Sequence, residues 1–213
     1  MLSPTQEYLH FDPKETSVPK LHHLMLGAIA PRPIAFASTI DLEGRPNLSP
    51  FSFFNAFGAN PPIVVFSANR RGKENTTKHT YENIKEVPEV VINAVSYDMV
   101  QKMSDSSADF PKGVNEFEMV GFTMLPSDLV KPFRVKESPV QLECKVLQVI
   151  ETGYGPAAGN LVICEILRIH VHPGVMDEKG RIDPRKIDLV GRMGGEYYVR
   201  ASGVALFELA KPS

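Results

Sequence analysis

Lys78 and Thr80 stand where a polar, basic stretch (residues 69–80, NRRGKENTTKHT) gives way to a helical pattern. An ammonium, a hydroxyl and the free backbone amides of a helix start together suit a phosphate group. A plainer reading has Thr80 capping a helix over 81–87, stopped by Pro88, with Lys78 solvated. The residues alone leave both open. Upstream, Ser49, Ser52 and Ser67 carry hydroxyls able to bond an anion or sugar-like hydroxyls. They are interleaved with Phe51, Phe53 and Phe54, which serve either a core or a flat ligand. Two β-type runs flanking such a mixture suit a ligand with a flat apolar ring and an anionic tail.

Other chemistry finds little support. The chain has no GxGxxG, GxxxxGK[ST], HExxH or GxSxG pattern. The carboxylate pairs Asp177/Asp183 and Glu116/Glu118 lie in charged stretches and read as solvated groups rather than an acid and a base. His22 and His23 are adjacent, so they cannot share a face, and no acid is near; a metal is not expected. Cys144 and Cys164 form no CxxC pair and read as reduced packing thiols. Residues 170–172 put two imidazoles, His170 and His172, on one face of a strand.

These residues need a scaffold, and the pattern predicts a mainly β one. Residues 34–40 are an apolar run closed by a turn at 41–44. Residues 47–55 read as a second strand. Gly58 and the Pro61-Pro62 pair make 58–62 a loop, because they interrupt a ladder. Strands follow at 63–67 and 90–95, with helical turns over 98–104 and 114–120. Residues 140–150 alternate, Leu142, Cys144 and Val146 against Gln141, Glu143 and Lys145. Residues 161–171 return after a small-residue turn at 153–160 as a hairpin partner. A charged excursion at 177–188, a flexible loop at 191–195 and a last strand within 197–209 complete the chain. Residues 21–30 form a short helix or a strand entry. Residues 1–20, with Pro4, Pro13 and Pro19, are an irregular leader that wraps the domain or a partner chain, and 21–213 form a single domain. Many short strands and few helices predict a barrel with appended helices, without the strand–helix rhythm of a doubly wound fold.

The 213 residues suffice for one large domain or two small ones, and 43% hydrophobic residues supply its core. A formal net charge of −2 with no long block of one sign argues against a nucleic-acid partner. The opening MLSPTQEYLHFDP lacks the basic and apolar regions of a signal peptide. No apolar run reaches the roughly 18 residues of a membrane span. A cytoplasmic protein with no membrane partner is expected.

The segments PRPIAFAST, NLSPFSFFNAF, NPPIVVFSAN, KHTYEN, VIN and GRMGGEYY, in that order over residues 21–198, resemble the flavin reductase family, which includes flavoredoxins and the reductase components of two-component monooxygenases. The resemblance implies an FMN-binding split β-barrel of Greek-key type with a few short helices, forming a homodimer with flavin sites near the interface. It implies that Ser38 and Thr39 lie by the flavin ring and that Asn47, Leu48, Ser49 and Pro50 line its edge. Ser52, Phe53 and Phe54 would approach the ribityl and phosphate, Ser67 and Asn69 would end a strand beside the flavin, and Lys78 and Thr80 would hold the phosphate. His79 stands where the family usually has an aspartate. The implied activity is an NAD(P)H-dependent flavin reductase: NADH or NADPH gives hydride to FMN, or to FAD or riboflavin as substrate. Reduced flavin then feeds an oxygenase or another acceptor. The alternative is a flavoredoxin-like electron carrier without efficient NAD(P)H oxidation. The cofactor carries the chemistry, so no catalytic side chain is required; Arg192 and His170 or His172 are candidates for a lip meeting the nicotinamide, or are structural.

Overall fold

The structure, a computed structural model, describes residues 7–212; residues 1–6 of the expected leader, and Ser213, lie outside the described residues. The apolar run at 34–40 becomes β1 (Ala35–Ile40), buried along its whole length. Its side chains alternate between two cores. Ala35 and Ala37 join Phe51, Phe66, Val90 and the two cysteines, while Phe36 joins Leu48, Met99, Met103 and Phe117. β1 pairs antiparallel with β2 (Pro46–Phe51) on one side, across the turn at Asp41, and with β5 (Glu89–Asn93) on the other.

β5 continues to β8 (Val140–Glu151), β8 to β9 (Asn160–Val171), β9 to β4 (Pro62–Ser67), and β4 to β3 (Phe54–Ala59), all antiparallel. The seven-stranded order is therefore β2-β1-β5-β8-β9-β4-β3. Its two outermost strands, β2 and β3, are separated in the chain by Ser52 and Phe53 alone. Three residue steps reach about 10 Å at most, so the sheet must curl until its edges nearly meet. The result is a barrel with a slit between β2 and β3, and the Ser67 N–H donates to the Phe53 carbonyl at 2.9 Å, carrying the β3–β4 pairing up to its edge. The expected mainly β, split-barrel architecture with a few short helices holds.

Two short ribbons, β6 (Met124–Leu125) with β7 (Arg134–Val135) and β10 (Val190–Arg192) with β11 (Tyr198–Arg200), complete the strands. The helices are α1 (Val18–Ala28), α2 (His79–Glu86), α3 (Val100–Asp105), α4 (Glu116–Val120) and α5 (Pro184–Ile187). No helix among the described residues is long and apolar enough to cross a membrane.

Several expectations need correction. Residues 47–55 are not one strand: they break at Ser52–Phe53, because β2 and β3 pair with different neighbours. The 58–62 segment is mostly ladder, with Ala59 opposite Pro62 and Gly58 opposite Ile63. Pro62 is tolerated because β4 pairs with β9 only from Ile63 onward. The helix after the basic stretch begins at His79 with Lys78 as its cap residue, so Thr80 does not cap it. Gly191 and Arg192 belong to β10, not to a loop. A Cβ on Gly191 would come within 3.0 Å of Pro31 Cβ, so glycine permits the close Arg32–Arg192 backbone bridge. The last residues of the expected leader are helical, since α1 starts at Val18. His172 lies past β9, where its Nδ1 accepts from the Gly174 N–H, so it does not share a strand face with His170. Cys144 faces Ile166 while Cys164 faces Val146, and both thiols are free and buried.

Of the polar face expected for β8, Gln141 and Glu143 are buried too, while Lys145 is exposed. The segment from Pro126 to Ser138 folds over the buried pair and supplies partners. Gln141 Nε2 donates to the Val135 and Ser138 carbonyls. Glu143, fully buried, accepts from the Asp128 and Leu129 N–H groups at 2.9 and 2.6 Å and lies 2.6 Å from His170 Nε2.

Candidate functional site

The slit opens into a cavity of about 530 Å³. Its walls come from the slit dipeptide, the facing ends of β3 and β4, the residues before β1, the α1 terminus and the β8–β9 turn. They are mostly apolar: Met25, Ile29, Pro33, Phe53, Phe54 and Leu161 among them. Polar groups are few. The Ser67 hydroxyl and the Asn69 side-chain carbonyl are buried at its floor without any hydrogen-bond partner. A buried polar atom left unpaired is costly, so this floor is prepared for a ligand that bonds it. Gly159 keeps the space open: a Cβ there would approach Ser67 Oγ to 3.2 Å and Asn69 Oδ1 to 3.9 Å.

Ser52 separates this cavity from a recess of about 190 Å³ lined by Ile34, Pro50, Met103, Ser104, Ser107, Arg192 and Tyr198. Its hydroxyl accepts from Arg32 Nε at 3.2 Å. Arg32 is only 4% exposed. Its Nη1 donates to the Leu26 and Ile29 carbonyls at the end of α1, and its Nη2 to the Met193 carbonyl. One guanidinium thereby staples α1, the segment after β10 and the slit. Burial, and the like charge of Arg192, hold its pKa below the ordinary arginine value. Arg192 stacks over Tyr198, 4.4 Å from the ring centroid, and donates to the Gly195 carbonyl.

Ser107 in turn joins the recess to a narrow cleft lined by Asn47, Ser49, Arg71, Lys78, His79, Thr80 and Glu116. The start of α2 faces it with no side-chain cap. Beneath the cleft, Asn47 Nδ2 donates to Thr80 Oγ1 at 3.0 Å, and Asn83 Nδ2 to Thr39 Oγ1 at 3.2 Å, tying α2 to the barrel. The Lys78 ammonium lies 5.4 Å from the centroid of Phe51. Among the described residues no carboxylate stands within 4.0 Å of it. Burial, then Arg71, push its pKa down. His79 is lowered for the same reasons, and burial raises the Glu116 carboxyl. Asp109 also lines the cleft and pairs with Arg71 at 3.7 Å, so it is Lys78, without a carboxylate within 4.0 Å and beside the free amides of the α2 start, that makes an anion seat.

Asn47, Ser49, Lys78 and Thr80 thus meet at the cleft, Pro50 in the recess, and Phe53, Phe54, Ser67 and Asn69 in the apolar cavity, with Ser52 between. Ser38, Thr39 and Leu48 line none of these spaces. All three are sealed inside the sheet; Thr39 serves Asn83, and the Leu48 N–H donates to Glu116 Oε2 at 3.0 Å. Phe53 and Phe54 stand in the apolar cavity rather than at the cationic cleft where a phosphate tail would lie. Arg32, Arg71, Ser104, Ser107 and Gly159 were missed as site residues. Arg32 sits inside the PRPIAFAST motif, and that was its one sequence signal; the others reach the site only through tertiary contacts.

Asp128, Glu143 and His170 bring ligand-type atoms within 4.8 Å of one another. Asp128 is already bound to Arg168 at 2.6 Å, and Glu143 is saturated as described, so the cluster reads as a structural strut. A larger hollow, about 880 Å³, lies between the 177–185 segment and the 203–208 tail. Its charges are paired, Arg181 with Asp177 and Arg185 with Glu208.

Comparison with known proteins agrees with this geometry. The family described as "Flavin reductase like domain" matches residues 26–186. An uncharacterised protein of Aquifex aeolicus is 39% identical over 92% of this chain and 97% of its own. The crystal structure of nitrilotriacetate monooxygenase component B from Bacillus cereus superposes with a TM-score of 0.88 at 28% identity, over 96% of this chain and 100% of that one. The 2-nitrobenzoate 2-nitroreductase NbaA of Pseudomonas fluorescens gives 0.85 at 28% identity, over 96% and 97%. Solved relatives of this fold include one described by its split barrel domain.

Proposed function

The chain belongs to the flavin reductase like domain family and is a flavin-linked oxidoreductase; from that premise we propose that it binds FMN and acts as an NAD(P)H-dependent flavin reductase. One observation carries the reading: an apolar cavity, a serine-lined recess and a cationic cleft lie side by side in that order, Ser52 lining the first two and Ser107 the last two. Ring, polyol and phosphate ask for those three environments in that order. The fit is also chemical. The unpaired Ser67 hydroxyl can donate to a ring heteroatom or accept from a ring N–H, and the unpaired Asn69 carbonyl can accept from a ring N–H; Ser52, Ser104 and Ser107 suit hydroxyls, and Lys78 with the α2 amides suits the phosphate. FAD or riboflavin would serve as substrates through the same ring site.

When bound, the flavin accepts a hydride and returns the electrons one or two at a time. The chain's own residues bind and orient. No Asp, Glu, Lys or His lines the apolar cavity, so the protein need not supply an acid or base there. The product feeds an oxygenase or another acceptor.

The protein acts as a homodimer in this reading. Apolar side chains around the cavity mouth, Met25, Ile29 and Phe57, are exposed on one chain, as are Phe207 and Leu209 of the tail, and a partner chain would cover them. Light scattering of the purified protein should give the dimer mass; a monomer at micromolar concentration would sink this part.

The function is tested by one anaerobic titration. Added FMN should take on a shifted visible spectrum that bleaches with NADH or NADPH. Bound flavin that does not bleach would replace the reductase with an electron carrier, and no uptake of flavin would end the reading.

A further inference from the structure

Two guanidinium groups flank Ser52, and nothing acidic answers them. Arg32 lines the apolar cavity and Arg192 the adjoining recess, and among the described residues no aspartate or glutamate lines either space. Among the described residues neither arginine has a carboxylate within 4.0 Å. Elsewhere in the chain arginines meet acids directly, as Arg45 with Asp41, Arg168 with Asp128 and Arg200 with Asp188. Arg32 is also nearly sealed from water, and a buried charge is normally paired. The α1 carbonyls it binds offset part of its charge through the helix dipole. They use both Nη1 hydrogens, Ser52 takes the Nε hydrogen and Met193 one on Nη2, so one N–H of Nη2 remains without a partner. The fields of both arginines reach their surroundings. Arg192 lowers the pKa of Arg32, and Arg32, after burial, lowers that of His22.

The two arginines line other spaces than Lys78, which in the reading above serves the phosphate. Resting on the flavin reading above, we propose that Arg32 and Arg192 form a cationic seat holding the reduced, anionic form of the flavin ring more tightly than the neutral oxidised form. The charge change follows from the reaction. Hydride carries two electrons and one proton from the reduced nicotinamide, which leaves as the oxidised cation. The neutral ring gains the hydride and becomes a monoanion, with no proton released to or taken from the protein. A seat of positive charge inside a low-dielectric cavity favours that product. The two arginines thereby bias the flavin toward accepting electrons.

Arg32 also staples three segments, so the test uses Arg192, whose side chain stacks on Tyr198 and donates to the Gly195 carbonyl. Dissociation constants of oxidised and dithionite-reduced flavin are measured by anaerobic fluorescence and absorbance titration, for FMN and for riboflavin, with wild type, Arg192→Gln and Arg192→Lys. The midpoint potential of the bound flavin is read against a reference dye. Wild type should bind the reduced form more tightly. Arg192→Gln should cut that preference about tenfold, which for a two-electron couple is a fall of about 30 mV, and Arg192→Lys should restore most of it. The same loss should appear with riboflavin. An unchanged preference, equal losses for both redox forms, or a lysine variant no better than glutamine would overturn the proposal. A loss confined to FMN would overturn it too, by making Arg192 a phosphate contact. Wild-type protein that takes up neither flavin would overturn the flavin reading itself.

Discussion

Glu143 and Arg32 are both charged and both all but closed off from water, 0% and 4% exposed, and they are held in opposite ways. Glu143, on β8, meets a histidine and two backbone N–H groups, with Arg134 3.9 Å away. Both of its carboxylate oxygens have hydrogen-bond partners. Arg32 meets only neutral carbonyls and a serine, and its nearest charged neighbour has the same sign. The first arrangement is closed and gains nothing from a visitor. The second is electrostatically open, and it lies beside a cavity whose Ser67 and Asn69 oxygens are also unpaired. Ser38 Oγ inside the sheet is unpaired as well, but the grouping of an open cation with two unpaired oxygens at one cavity marks where a ligand belongs.

The sharpest way to break this comparison is at its closed end. Glu143→Ala strips the strut and leaves His170 and two buried N–H groups without their acceptor, and should cost about 3–5 kcal/mol of stability. Urea unfolding would measure it, while flavin affinity should stay within twofold, since Glu143 lines none of the three ligand spaces. A mild stability loss with a large affinity loss would reverse the roles assigned here. Acid should act the same way. Burial alone would raise the Glu143 carboxyl, but the Asp128 and Leu129 N–H groups and His170 outweigh it and hold the pKa below the usual glutamate value. A depressed carboxylate contributes stability that is present above the unfolded-state pKa and lost as pH falls through the folded value. Wild type should therefore lose stability below about pH 4, and Glu143→Gln should lose less over that window.

The two ends of the comparison were not equally legible in the sequence. Strand content, the β8–β9 hairpin and the split barrel followed from alternation and from motifs in order. Lys78 and Ser49 could be named as anion ligands because residue type alone advertises that chemistry. The slit could not be read, because Ser52 and Phe53 sit within an unbroken β-type run, and only the pairing of β2 and β3 with different neighbours divides it. Ser38 and Thr39 carry ligand-type hydroxyls, but β1 lies between β2 and β5 and both side chains are fully buried, a tertiary fact no local pattern encodes. Arg32 failed the opposite way: an arginine between two prolines looks like a surface residue, and its burial depends on carbonyls 3, 6 and 161 positions away.

Lys78 tests the open end with a smaller expected effect. It is half-buried, lacks an acidic partner and faces the cleft, so in the free protein its charge is a burden and in the complex a contact. Lys78→Ala should weaken FMN binding by about 1–3 kcal/mol, the worth of a charge-assisted bond to phosphate. It should leave riboflavin binding unchanged, because riboflavin has no phosphate. Thermal stability without ligand should hold or rise slightly, opposite in sign to Glu143→Ala. The pH dependence carries the same mark. Only the protonated amine binds the phosphate, so affinity is full below the Lys78 pKa and falls as pH rises through it. Since burial and Arg71 lower that pKa, the loss of FMN affinity should set in below the ordinary lysine range and be absent from the Lys78→Ala variant. Equal losses for FMN and riboflavin would move Lys78 from the phosphate to the packing around Phe51, and would leave the cleft without the ligand that explains its charge.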